Sequence, residues 1–143
     1  MKYPVLVILL IVSLIKIDAD KKELLCHHWV QFASKKNGAV VPISVVALMA
    51  KECSFARDGK YDEMMYNKAF RASGKWFFNS DQTKMGMTID NVNGQNFPGQ
   101  DQFRNTNIII LKLTKDTLVY GEEAYYGKDR VYGHDDLYFV RRD

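Results

Sequence analysis

From Leu24 onward the chain alternates short runs of β-branched and aromatic residues with clusters of turn formers, roughly one run every ten residues. Leu24 to Ala33 reads as the first strand, closed by Ser34, Lys35, Lys36, Asn37 and Gly38. Ala39 to Leu48 reads two ways, because Val40, Val41, Val45 and Val46 favour a strand while Pro42 and the Ala47 to Ala50 stretch favour a helical bend. Lys51 to Ala56 and Lys60 to Asn67 flank Arg57, Asp58 and Gly59, and an Asp-Gly step between two strand-like runs predicts a hairpin with a primed turn.

Ala69 to Asn79 is the next strand, with Gly74 inside it as a bulge or a point of close backbone approach. In Lys84 to Asp90, Met85, Met87 and Ile89 alternate with Gly86, Thr88 and Asp90, a period of two that makes one face dry and the other wet. Thr106 to Leu113 and Thr117 to Tyr126 form a further hairpin about Thr114, Lys115 and Asp116, and Val131 to Arg141 is the last strand. The predicted fold is all-β, a single domain of eight to nine antiparallel strands. Connections this tight and local favour an up-and-down β-barrel, which removes its own edges by closing. A barrel of eight strands has an interior that either fills with side chains or holds one small ligand.

The N-terminal segment follows a different pattern. Met1 to Ala19 carries Lys2, an apolar run from Val5 to Ile15 broken only by Ser13, and small Ala19 before Asp20. The apolar core of about 11 residues is short of the roughly 20 that span a bilayer, so it reads as a secretory signal peptide, the alternative being an uncleaved anchor. Lipidation would need a cysteine at the cut, and Cys26 lies too far along. Residues 20–143 then form the mature domain, secreted or periplasmic, long enough for an ordinary core.

Charge narrows the partners. Lys2, Lys16 and Asp18 leave with the signal segment, and the mature chain keeps 18 Lys and Arg against 16 Asp and Glu, with no basic run. Nucleic acid is therefore not an expected partner, and no membrane span is expected after signal removal. Cys26 and Cys53 allow one disulfide in an oxidising compartment, or two buried thiols on separate strands.

The segments LLCHHWV at Leu24 to Val30, FARDGKY at Phe55 to Tyr61, SGKWFF at Ser73 to Phe78, and the following MGMTID resemble the small secreted lipocalin-like domains of the Bacteroidetes type. The resemblance spans Leu24 to Arg141 and implies a lipocalin-like barrel, with Trp29, Phe55, Asp58, Gly59, Gly74 and Trp76 at scaffold positions. Two departures stand out. His27 occupies the place of the glycine two residues before Trp29, and no Thr-Asp-Tyr motif precedes a late strand around Thr106 to Leu113.

Candidate chemistry is sparse. His27 and His28 are adjacent and so point to opposite faces of a strand; a metal site would need one of them with His134, and none is expected. The chain has no nucleophile elbow, and Glu122 with Glu123 and Asp135 with Asp136 read as solvated charges. Neither an enzymatic activity nor a cofactor is expected. Phe55, Tyr61, Trp76, Phe78, Met85, Met87, Tyr120 and Tyr138 are the candidate ligand-binding residues, able to line the inside of a barrel around a small apolar or amphipathic molecule. Ala72, Gly74 and Ala124 would leave room for it. The long polar stretch Asn91 to Asn105, with Phe97 and Phe103, reads as a lid, an ordinary connection, or a contact surface. The rival function is a protein- or glycan-interaction module in which the barrel is packed and this loop meets the partner.

Overall fold

The computed structural model describes residues 21–36, 38–43, 50–96, 104–122 and 135–143. The signal-like segment, Phe97, Phe103, Glu123, Ala124 and His134 fall outside them. Among the described residues a helical turn over residues 21–25 precedes ten strands: β1 (His28–Lys36), β2 (Ala39–Pro42), β3 (Glu52–Phe55), β4 (Lys60–Met65), β5 (Phe70–Phe78), β6 (Lys84–Val92), β7 (Gln95–Asn96), β8 (Arg104–Leu113), β9 (Thr117–Glu122) and β10 (Asp135–Arg141).

All pairings are antiparallel, in the order β10-β9-β8-β6-β5-β4-β3-β1, and β1 pairs back onto β10 to close a ring of eight strands. β2 pairs with the far half of β1, and β7 folds back on the end of β6. The all-β, antiparallel, sequential organisation matches the reading of the alternating pattern. The strand count is higher because two short strands sit outside the ring. β7 lies within the expected structureless stretch, and Asn91 and Val92 already belong to β6.

The N-terminal boundary also differs. Leu24 and Leu25 lie in the helical turn, and β1 begins only at His28. Lys21 to Leu25 is a run of good helix formers, whereas β-branched residues begin at Val30. The turn covers the end of the ring at which the β3–β4 and β5–β6 hairpins lie. Leu25 is fully buried, its carbonyl accepts a hydrogen bond from Trp29 Nε1 at 2.9 Å, Lys22 Nζ sits 5.9 Å over the Trp76 ring, and Glu23 pairs with Arg57.

The β3–β4 turn is not the primed two-residue type. Gly59 N donates to Ala56 O at 3.0 Å and Ala56 N donates to Lys60 O at 2.9 Å, so the loop holds three residues. Of Arg57, Asp58 and Gly59, only Gly59 has positive φ, +87°. The demand on Gly59 survives the change of turn type. Gly59→Val is expected to cost about 1 kcal/mol or more, and to lower the melting temperature well beyond Lys60→Val. Equal melting temperatures for the two variants would show that the loop adopts another conformation.

The interior is aromatic and sulfur-rich. Leu25, Trp29, Cys53, Phe55, Tyr61, Trp76, Met85, Met87, Ile108, Leu118, Tyr120 and Phe139 form one buried cluster. Cross-strand pairs account for its layout, since Trp76 lies opposite Met87 and Phe78 opposite Met85, with Met85 in turn opposite Ile108.

Candidate functional site

Seven of the eight candidate residues face the interior of the ring. Phe55, Tyr61, Trp76, Met85, Met87 and Tyr120 are buried in the core cluster, and half-buried Phe78 packs against it. Ring contacts run continuously from Tyr61 to Phe55 (5.2 Å between centroids), Phe55 to Trp76 (5.8 Å) and Trp76 to Phe78 (5.4 Å), and Tyr120 stacks on Phe139 at 5.0 Å. These residues hold one another. Tyr138 is the exception, because its neighbours Leu137 and Phe139 take the inward phase of β10. Its ring meets that of exposed Phe32 at 6.3 Å, so it belongs to the outer face.

Polar groups enter the interior on the side away from the helical turn. On β4, Glu63 follows Tyr61 by two residues and shares its inward phase. Tyr61 Oη donates to Glu63 Oε2 at 2.5 Å, and Lys51 Nζ lies 3.2 Å from the same oxygen. Both charged side chains are nearly buried, with 11% of Glu63 and 14% of Lys51 exposed. Gln31 joins from β1: its Oε1 accepts from Lys51 N at 3.1 Å, and its own N donates to Lys51 O at 2.9 Å. Burial, reinforced by Tyr120, Cys53 and Glu63 nearby, pushes the Tyr61 phenol well above its ordinary value, so it stays a hydrogen-bond donor at any physiological pH.

The arrangement is therefore a charge-compensated polar group seated on an aromatic floor, able to receive the polar end of a small molecule by hydrogen bonds. Of the candidate residues it includes Tyr61, with Tyr120 close enough to act on the same phenol. Gln31, Lys51 and Glu63 were missed. The signal for Glu63 was present, since a charge two residues after Tyr61 on a period-two strand has to lie on the dry face.

The chain matches no family model and no curated protein. The likeness to lipocalin-like domains therefore rests on the segments named above.

Cys26 and Cys53 are free thiols. Cys53 lies in the core, where burial pushes its thiol up to about 12, against a smaller opposing effect of Lys51. Cys26 lies just after the helical turn rather than on a strand, and burial raises its thiol less. At pH 8 a thiol reagent is expected to modify Cys26 in the folded protein and to reach Cys53 only after denaturation, since on the order of one Cys53 in ten thousand is thiolate there. Protein that yields no thiol in denaturant until a reductant is added would contradict this.

Among the described residues no group of three or more His, Cys, Asp and Glu is arranged to hold a metal ion, and no helix is long and apolar enough to cross a membrane. His27 Nδ1 faces Asp143 at 4.0 Å, while His28 is held on the outer face by Ser54 and Glu52.

Proposed function

We propose that this chain is a secreted or periplasmic lipocalin-like protein that binds a small amphipathic molecule without transforming it. The apolar part of the ligand lies in the ring against the aromatic floor, and its polar end meets Tyr61, Glu63 and Lys51. The observation that carries this reading is the inward-facing Tyr61–Glu63–Lys51 group, nearly buried within a closed ring. A core that served packing alone gains little from such a group, because desolvating two charges costs several kcal/mol that their attraction only partly returns. Binding sites, by contrast, place a few converging polar groups on a mostly apolar wall. Tyr61 and Tyr120 are the contact residues in this reading. Phe55, Trp76, Phe78, Met85 and Met87 support them from below.

The test is uptake of an apolar fluorescent amine, N-phenyl-1-naphthylamine, with mass spectrometry of small molecules retained by protein purified from its own host. Lys51→Met with Glu63→Leu is expected to stay folded and to bind the probe at least tenfold more weakly. Folded wild-type protein that neither retains a small molecule nor takes up the probe would discard the reading.

One observation favours an interaction module instead. β2 is exposed along its whole length, with Val40 52% and Val41 37% accessible, and among the described residues it pairs with β1 alone. An apolar edge strand of this kind can accept a strand from another protein. Val40→Lys would abolish binding of such a partner and leave probe uptake untouched.

A further inference from the structure

The outer face of the ring brings together three residues of distinct chemistry. In the β1–β3 register Ser54 lies directly opposite His28, and Glu52, two residues before Ser54 on β3, shares its face. Ser54 Oγ is 2.8 Å from His28 Nδ1, and His28 Nε2 is 3.4 Å from Glu52 Oε2. A single neutral tautomer satisfies both contacts, with Nδ1 accepting the serine proton and Nε2–H donating to the carboxylate. About a third of each of the His28 and Glu52 side chains remains exposed (34% and 33%), so a small molecule in solution can reach them.

The same face continues into a groove. Ser54 lies opposite Asp62 on β4, Asp62 opposite Ser73 on β5, and Ser73 opposite Asn91 on β6. Asp62, Arg71, Ser73 and Asn91, with Glu63 and Ala72 between them on their strands, line a half-open space of about 380 Å³. A small substrate seated there lies one strand away from the Ser54 hydroxyl.

We infer that Ser54, His28 and Glu52 act as nucleophile, base and positioning residue in a slow acyl transfer from small carboxylic esters. Ser54 Oγ attacks the ester carbonyl while its proton passes to His28 Nδ1. The C–O bond to the alcohol then breaks, and the same proton leaves with the alkoxide, so that an acyl-serine and an alcohol are formed. Water attacks the acyl-serine, giving one proton to His28, which returns it to Ser54 Oγ as the carboxylic acid departs. The sum is ester plus water to acid plus alcohol. Glu52 acts through His28, holding the imidazole in the productive tautomer. Backbone N–H groups in paired strands are spent in the ladders, so a prebuilt oxyanion site is not part of this arrangement and turnover is slow. The signature is therefore a covalent adduct and a burst.

The experiment treats the full chain with a fluorophosphonate, maps the adduct by peptide mass, and follows p-nitrophenyl acetate for a burst of one p-nitrophenolate per chain. The adduct is expected on Ser54. His28→Gln should slow its formation by about a hundredfold or more, as should unfolding the wild-type protein in urea, which controls for variants that fold poorly. Glu52→Gln keeps an acceptor for Nε2–H and should retain more reactivity than Glu52→Leu at equal melting temperature. The burst should vanish in Ser54→Ala. An adduct elsewhere, equal labelling of folded and unfolded chains, or a burst that survives Ser54→Ala overturns the inference.

Discussion

Gly74→Ala should destabilise the protein by about 3 kcal/mol. A Cβ at Gly74 would lie 1.8 Å from the Thr88 carbonyl oxygen and 2.7 Å from its carbon, with Ile89 Cα at 3.0 Å. All three are backbone atoms of β6, which cannot swing aside as a side chain does. The crowding falls at the register shift between Ser73 and Gly74, where Gly74 pairs with Ile89. Gly86→Ala is the control. There the added carbon meets the Phe77 ring at 2.4 Å, and that ring lies over the glycine on the outer face, where it can turn away. Urea denaturation should therefore show a far lower midpoint for Gly74→Ala than for Gly86→Ala. If the two midpoints agree, β5 and β6 are not paired in this way.

The second large effect concerns the interior charges. Lys51→Met leaves the Glu63 carboxylate nearly buried with Tyr61 as its remaining hydrogen-bond donor among the contacts described, and should cost about 3 kcal/mol. Glu63→Leu removes the carboxylate that the nearly buried Lys51 ammonium faces at 3.2 Å, with a similar cost. Together the two changes replace a desolvated pair by apolar side chains of similar size, and the double variant should recover most of the lost stability. Thermal unfolding of the four proteins completes the cycle. Additive losses would mean that the two charges do not interact. Recovery of stability with loss of probe uptake would show that the pair is kept for the ligand rather than for the fold.

Several features were legible because they are local. Met85, Met87 and Ile89 were read as one dry face from their period of two, and they do pack into or against the core. Gly74 stood out as a point of close approach because glycine inside a strand gives up packing, and the short distance to Thr88 accounts for it. Asp58 and Gly59 marked the hairpin, although hydrogen bonds to flanking Ala56 decided how many residues the loop holds. The stretch from Asn91 was misread as loop because Asn, Gln and Gly suit turns. Yet Asn91 Oδ1 accepts from Gly94 N at 2.9 Å and Asn91 Nδ2 donates to Asn96 Oδ1 at 2.9 Å, which fixes the β6–β7 hairpin with those same polar side chains.

Alternation along the chain determines which residues can share a face of a strand, since successive side chains point to opposite sides. By itself it determined an all-β chain with tight sequential connections and an apolar phase containing Phe55, Tyr61, Trp76, Met85 and Met87. Only the tertiary structure decided which strand lies beside which, and so joined His28 to Ser54 across 26 positions and Tyr61 and Glu63 to Lys51. It also decided where regular alternation fails. Bulges between Gln31 and Ala33, Ser73 and Gly74, and Ile110 and Lys112 each shift the phase of one strand against its neighbour. A shift of one residue costs little locally and moves every later side chain to the other face, so it is settled by packing across the ring and not by the residues on either side of it.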